Sequence, residues 1–212
     1  MRELNWRKSL EVVSGEISGG TRLPLLVFYR GKECDGSRKT LGEVFKVQNV
    51  INTIERESAP VKYDILESKE IAERYHVDWT PTFIFTDENG RELERWVGYL
   101  PAEDFIAQFT LSKGLAAFHL ARYIEAEREF EMLVEEYPDS ELVPEAEYYL
   151  GVSRFKEKGD AYPLGEICHL LQEKYPDSMW TKKCSIWSHL TSESRKRFVA
   201  FDQGGSTGSG AY

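Results

Sequence analysis

Cysteine is scarce in this chain: three residues, Cys34, Cys168 and Cys184, in a sequence of 212. So small and odd a set excludes a disulfide framework of the kind that holds small secreted domains together. Histidine is scarce too, with four residues, and no His, Cys and carboxylate group has metal-ligand spacing, so neither a metal nor any other cofactor is expected. No apolar run approaches the roughly 20 residues of a membrane span. The opening stretch MRELNWRKSLEVVSGE has no apolar signal-peptide core. From these absences we expect a cytoplasmic protein. Excess positive charge is also lacking. The formal net charge is −9, which disfavours nucleic acid and anionic membranes as partners.

What is present suffices for a real core, with 41% hydrophobic and 13% aromatic residues, and the length suits one large domain or two small ones. Residues 1–110 alternate in type. NWRKSLEVVSGEI has helical spacing. LPLLVFY is a nearly continuous apolar run, the pattern of a buried strand. Residues 37–58 read as one long helix with an apolar stripe of Leu41, Val44, Phe45, Val47, Val50, Ile51 and Ile54. VKYDIL reads as a second strand, and SKEIAERYHV as a helix with Ser68 as its N-cap. TFIFTDENGRELERWVGY reads as two strands about an Asn89–Gly90 turn, and PAEDFIAQF as a helix opened by proline. This order predicts an α/β domain, a mixed central sheet with helices on both faces.

Residues 111–190 carry no strand pattern and are predicted all-helical, joined to the first part by a short linker near Thr110–Lys113. They repeat: EEYPDS at 135–140 returns as EKYPDS at 173–178, and each copy ends an amphipathic helix at a proline that stops continuation. Small and aromatic residues, Gly114, Tyr123, Ala126 and Phe130 ahead of the first copy and Gly151 ahead of the second, suit close-packed helix pairs. Pro144 opens the helix PEAEYYLGVSRFKEK, with Tyr148, Tyr149 and Phe155 as inter-helix packing. MWTKKCSIWSHL is amphipathic and suits a cap, which stacked helical repeats need. Residues 191–212 are polar, then glycine- and serine-rich, and are expected to be a flexible tail.

The pattern PLLVFYRGKECDGSRKTLGEVF, VKYDI, YHVDWTPTFIFTDENGRELERWVGYLPAEDF resembles the thioredoxin fold, over about the first 110 residues. The resemblance puts Cys34 on that family's first, nucleophilic cysteine and Ser37 on its second, resolving one. Trp79, Thr80 and Pro81 fall on the loop whose proline is cis and faces the thiol, and Gly98 on the glycine before the last helix. Val27 stands where the family often has a buried acid that helps deprotonate the second thiol. With Ser37 and Val27 together, both parts of the resolving half-reaction are missing. The second part, through YPDS and PEAEYYLG, resembles tetratricopeptide (TPR) repeats: about two repeats and a cap.

A thiol attacks as thiolate, which a helix start favours. Lys32, Arg38 and Lys39 add to this, while Glu33 and Asp35 oppose it. Two readings of the loop follow. In the first, Cys34 is a single-thiol site for thiol–disulfide exchange or mixed-disulfide capture, with catalytic residues Cys34 and Ser37. Its protein or peptide substrate lies along Trp79, Thr80 and Pro81, Trp79 forming an apolar lip. The partner docks on the helical repeats. In the second, both halves are redox-inactive binding surfaces of an adaptor. Cys168 and Cys184 fall on apolar faces of consecutive helices and read as small core residues, a regulatory disulfide between them being the alternative. His76 reads as a helix-end residue, His119 and His169 as structural or surface residues.

Overall fold

The computed structural model describes residues 2–16, 22–31 and 33–190. The tail expected over 191–212, and Lys32, lie outside the described residues. The chain divides into two compact units, residues 1–122 and 123–212.

The first unit is built on four strands: β1 (Leu23–Tyr29), β2 (Ser58–Asp64), β3 (Thr82–Thr86) and β4 (Glu92–Val97). Their spatial order is β2-β1-β3-β4. β1 runs parallel to β2, with Val27 opposite Lys62, and antiparallel to β3, with Val27 opposite Phe83. β3 and β4 are antiparallel. The apolar run of β1 has its physical reason here: as a central strand covered on both faces, it has six consecutive buried residues, Leu23 to Phe28.

Side chains of β1 alternate between two cores. Leu26 and Phe28 face Leu10 and Val13 of α1 (Leu10–Glu16) and Ala72 of α4 (Lys69–Arg74). The opposite face carries an aromatic cluster. Phe83 stacks on Trp96 at 4.7 Å, and meets Phe45 and Phe105 of the helical side. α3 (Gln48–Glu57) and α5 (Ala102–His119) complete that layer. The expected mixed sheet with helices on both faces is therefore present.

The long helix expected over 37–58 is instead broken into α2 (Asp35–Gly42), a 3-10 turn (Val44–Lys46) and α3. Gly42 ends α2 because glycine is a poor helix residue. Val44 and Phe45 then turn inward together, and Val47 adopts an extended conformation at the start of α3. Val47 consequently leaves the apolar stripe and is exposed. Ser68 stands at the N-cap position of α4 but its side chain makes no capping bond. The β3–β4 turn is organised by Asp87 rather than by Asn89. The Asp87 carboxylate accepts from the backbone N–H of Asn89 and of Arg91 at 2.9 and 2.8 Å, while Gly90 takes the left-handed φ of +76°.

The linker expected near Thr110–Lys113 is the interior of α5. Thr110 to Lys113 are all buried, and the Lys113 ammonium pairs with Glu57 at 2.5 Å. The helix α5 runs through the place where composition changes, its residues there buried, and the compact units part only after Arg122.

The second unit is helical: α6 (Tyr123–Glu136), α7 (Val143–Lys158), α8 (Tyr162–Lys174) and α9 (Met179–Cys184), then a 3-10 turn, Ser185–Trp187. The repeated motif is a repeated structure. The N–H of Tyr137 donates to Leu133 O, and that of Tyr175 to Leu171 O. The N–H of Ser140 donates to Tyr137 O and that of Ser178 to Tyr175 O, both at 3.0 Å. Each serine hydroxyl then accepts from the N–H two residues on, Leu142 at 3.3 Å and Trp180 at 3.2 Å. Pro138 and Pro176 supply no N–H, so the same turn forms twice. Pro144 lies in the first turn of α7, as expected, and Gly159 at φ +69° closes that helix. Among the described residues no helix is long and apolar enough to cross a membrane, and no group of three or more His, Cys, Asp and Glu residues is placed to hold a metal ion.

Candidate functional site

Cys34 is the N-cap of α2. Its backbone is extended (φ −114°, ψ 112°), and its sulfur accepts from the N–H of Ser37 at 3.4 Å. The strand β1 ends at Tyr29, and the short connection that follows brings the sulfur to the sheet's end. There the Gly31 N–H donates to Asp64 Oδ2 at 3.3 Å. The Cys34 thiol donates to the Thr80 carbonyl at 3.2 Å. Thr80–Pro81 is a cis peptide bond, in agreement with the family pattern.

Several groups set the acidity of Cys34. Partial burial raises its pKa. Hydrogen bonds from the Ser37 and Thr80 side chains and from the backbone N–H of Ser37 and Gly36 outweigh burial and bring the thiol below its ordinary value. The two acids expected to oppose ionisation are each paired: Glu33 with Arg30 at 2.8 Å and Asp35 with Arg38 at 2.5 Å. The Lys39 ammonium lies over the Tyr99 ring, 5.5 Å from its centre.

Ser37 is wholly buried. Its hydroxyl accepts from the Arg30 N–H at 3.2 Å, and its backbone N–H donates to the Cys34 sulfur. Val27, where the family often carries an acid, is wholly buried and on the sheet face of Phe83. Trp79 is 70% exposed, and its carbonyl is held by the Thr82 hydroxyl at 2.7 Å. The structure thus brings Cys34, Ser37, Thr80 and Pro81 together and leaves Trp79 projecting beside them.

One position and one bond were not read from the sequence. Gly36 passes so close to Pro81 that a Cβ there would lie 3.0 Å from Pro81 Cδ, and the glycine between Cys34 and Ser37 was the available signal. Gly98, at φ +105°, donates its N–H to Pro81 O at 2.8 Å and so ties the end of β4 to the same loop. Its place in the family pattern was read, but this bond was not. His76 and His169 are exposed, and His119 lies 3.7 Å from Glu94; none of the three bonds to Cys34.

Residues 16–111 match the family model of the thioredoxin-like domain. Solved structures similar to this chain include a thioredoxin from Thermus thermophilus, 24% identical, covering 50% of this chain and 85% of that one with a TM-score of 0.43. A putative disulphide-isomerase from Bacteroides thetaiotaomicron is 21% identical, with 52% and 93% covered and a TM-score of 0.45. The thioredoxin of Fasciola hepatica is 27% identical, with 53% and 99% covered and a TM-score of 0.40. No curated protein matches the chain. The first unit is a thioredoxin-like α/β domain with a mixed four-stranded sheet, followed by a helical unit that contains an internal repeat.

Proposed function

We propose that the protein carries out thiol–disulfide exchange through Cys34 acting as a single thiol, on a protein or peptide substrate. The observation that carries this reading is the placement of Cys34. It caps a helix, receives hydrogen bonds that favour the thiolate, and remains partly open to solvent beside the Thr80–Pro81 loop. The Cys34 thiolate attacks one sulfur of a substrate disulfide. A Cys34–substrate bond forms, the substrate S–S bond breaks, and the departing sulfur takes a proton from water. Ser37 cannot expel the substrate, since a buried hydroxyl is no thiol. A thiol from outside attacks the substrate sulfur, forms a new disulfide with it and returns Cys34 as thiolate.

The Thr80–Pro81 loop aligns the substrate chain by strand-like pairing, and Trp79 supplies an apolar edge. The helices α6–α9, with their repeated YPDS turn, act as a TPR-type module that holds the partner protein. In the second reading the missing resolving thiol, with Val27 in the acid's place, makes the protein a redox-inactive adaptor.

A peptide with an internal disulfide decides between the two. The wild type should form a covalent adduct on Cys34, seen by mass spectrometry without reductant, released by glutathione and lost in Cys34→Ser. Peptide binding that is noncovalent and identical in Cys34→Ser overturns the exchange reading and leaves the adaptor.

A further inference from the structure

Cys168 and Cys184 take no part in the site around Cys34. Cys168 lies on α8 and Cys184 ends α9, and both are wholly buried. Ile167 and Leu171 share their core, with Tyr148, Tyr175, Trp180 and Trp187 packed around it. The two sulfurs are 2.8 Å apart. Non-bonded heavy atoms rest about 3.5–4 Å apart, and a disulfide bond is about 2.05 Å long. Less than 1 Å of approach therefore separates this pair from a covalent bond. Each side chain is already aimed at the other element. The Cys168 thiol lies 3.0 Å from the Cys184 carbonyl, and the Cys184 thiol lies 3.9 Å from the Cys168 carbonyl. Close packing holds the covering segment in place: at Gly165, one turn before Cys168, a Cβ would lie 1.8 Å from the Leu190 carbonyl oxygen.

We propose that Cys168 and Cys184 are a redox pair that closes to an intramolecular disulfide, pinning α9 to α8. Filling the core requires only small apolar volume; it does not require sulfur facing sulfur from two elements. The oxidant is a low-molecular-weight disulfide. One cysteine thiolate attacks it and expels one thiolate, leaving a mixed disulfide. The second cysteine attacks that bond, forms Cys168–Cys184 and expels the other thiolate. Two electrons pass to the oxidant, and the two thiol protons end on its two released thiols. Burial first, and then the adjacent Cys168, push the Cys184 thiol up to about 12. The thiolate is thus scarce in the closed unit, and oxidation proceeds through opening of α9, a helix of only six residues. The pair is slow to oxidise and, once closed, slow to reduce. None of this depends on the reading of Cys34.

The test uses the full chain, native, with oxidised glutathione. Remaining thiols are then blocked with iodoacetamide in denaturant, and the protein is digested with trypsin without reductant. Lys158, Lys174, Lys183 and Arg195 place the two cysteines on separate peptides, 159–174 and 184–195. The expected product is these two peptides joined, about 2 Da lighter than their reduced sum, in the wild type and in Cys34→Ser alike. It forms faster when mild denaturant opens α9. Full recovery of both peptides in alkylated form, even in mild denaturant, overturns the proposal. So does linkage of either cysteine to Cys34 in place of its partner.

Discussion

At Ser37 one hydroxyl serves two neighbours. It accepts the Arg30 N–H just past β1 and helps to hold the Cys34 thiol below its ordinary value. Its place in the sequence marked it only as the residue standing where a second cysteine would be. Ser37→Ala removes the hydroxyl and leaves the Arg30 N–H without that acceptor, at a cost of about 1 kcal/mol of stability. Because the folded Cys34 thiol lies below its ordinary value, wild-type alkylation persists at pH values where a free cysteine has slowed. It falls as pH drops through the lowered pKa. In Ser37→Ala the midpoint of the rate–pH curve should move upward, with labelling at pH 7 slowed several-fold. Brief iodoacetamide treatment followed by mass spectrometry reads this directly. In both proteins Cys34 should label before Cys168 and Cys184, which have no exposure. An unmoved midpoint, or a core cysteine labelling first, would contradict this account of the loop.

Among the elements, β1 was the most legible. A central strand covered on both faces must be apolar at every position, and LPLLVFY is so. The repeated YPDS was legible for a different reason: proline cannot continue a helix, whatever surrounds it. The break within 35–57 was not legible. A helical stripe of apolar residues and two shorter helices joined by an inward turn have nearly the same periodicity, and the inward turn of Phe45 exists only because Phe83 and Phe105 wait for it. Gly151 shows what close helix packing demands. A Cβ there would lie 2.9 Å from Ile167 Cγ1 and 3.1 Å from its Cβ, across the α7–α8 interface. Gly151→Ala should therefore destabilise the second unit. Alanine's helix propensity returns about 1 kcal/mol, against an overpacking penalty of about 1–3 kcal/mol. Urea unfolding followed by the fluorescence of Trp180 and Trp187 measures the balance. A stabilised variant would mean that α8 shifts freely.

Over the whole chain the 36 acidic residues outnumber the 27 basic ones. Such a surface repels polyanions, and beside Cys34 the Arg30 and Arg38 guanidinium groups are each paired with a neighbouring acid. The protein should show no retention on duplex DNA or on vesicles rich in phosphatidylserine at physiological salt. Salt-sensitive binding to either, measured by gel shift or co-sedimentation, would point to a basic surface that net charge conceals.

The sequence by itself determined the α/β order of the first unit, the helical character of the second and the position of Cys34 at a strand-to-helix junction. Each follows from local periodicity or from the chemistry of proline and glycine, which act over a few residues. The tertiary structure decided what depends on distant partners. It made Lys113, within the expected linker, a buried partner of Glu57, some 56 residues away in the chain. It also set the sulfurs of Cys168 and Cys184 face to face, though 16 residues separate them. Sequence spacing could place both on apolar helix faces, but only the packing of α9 against α8 brings one thiol to the other.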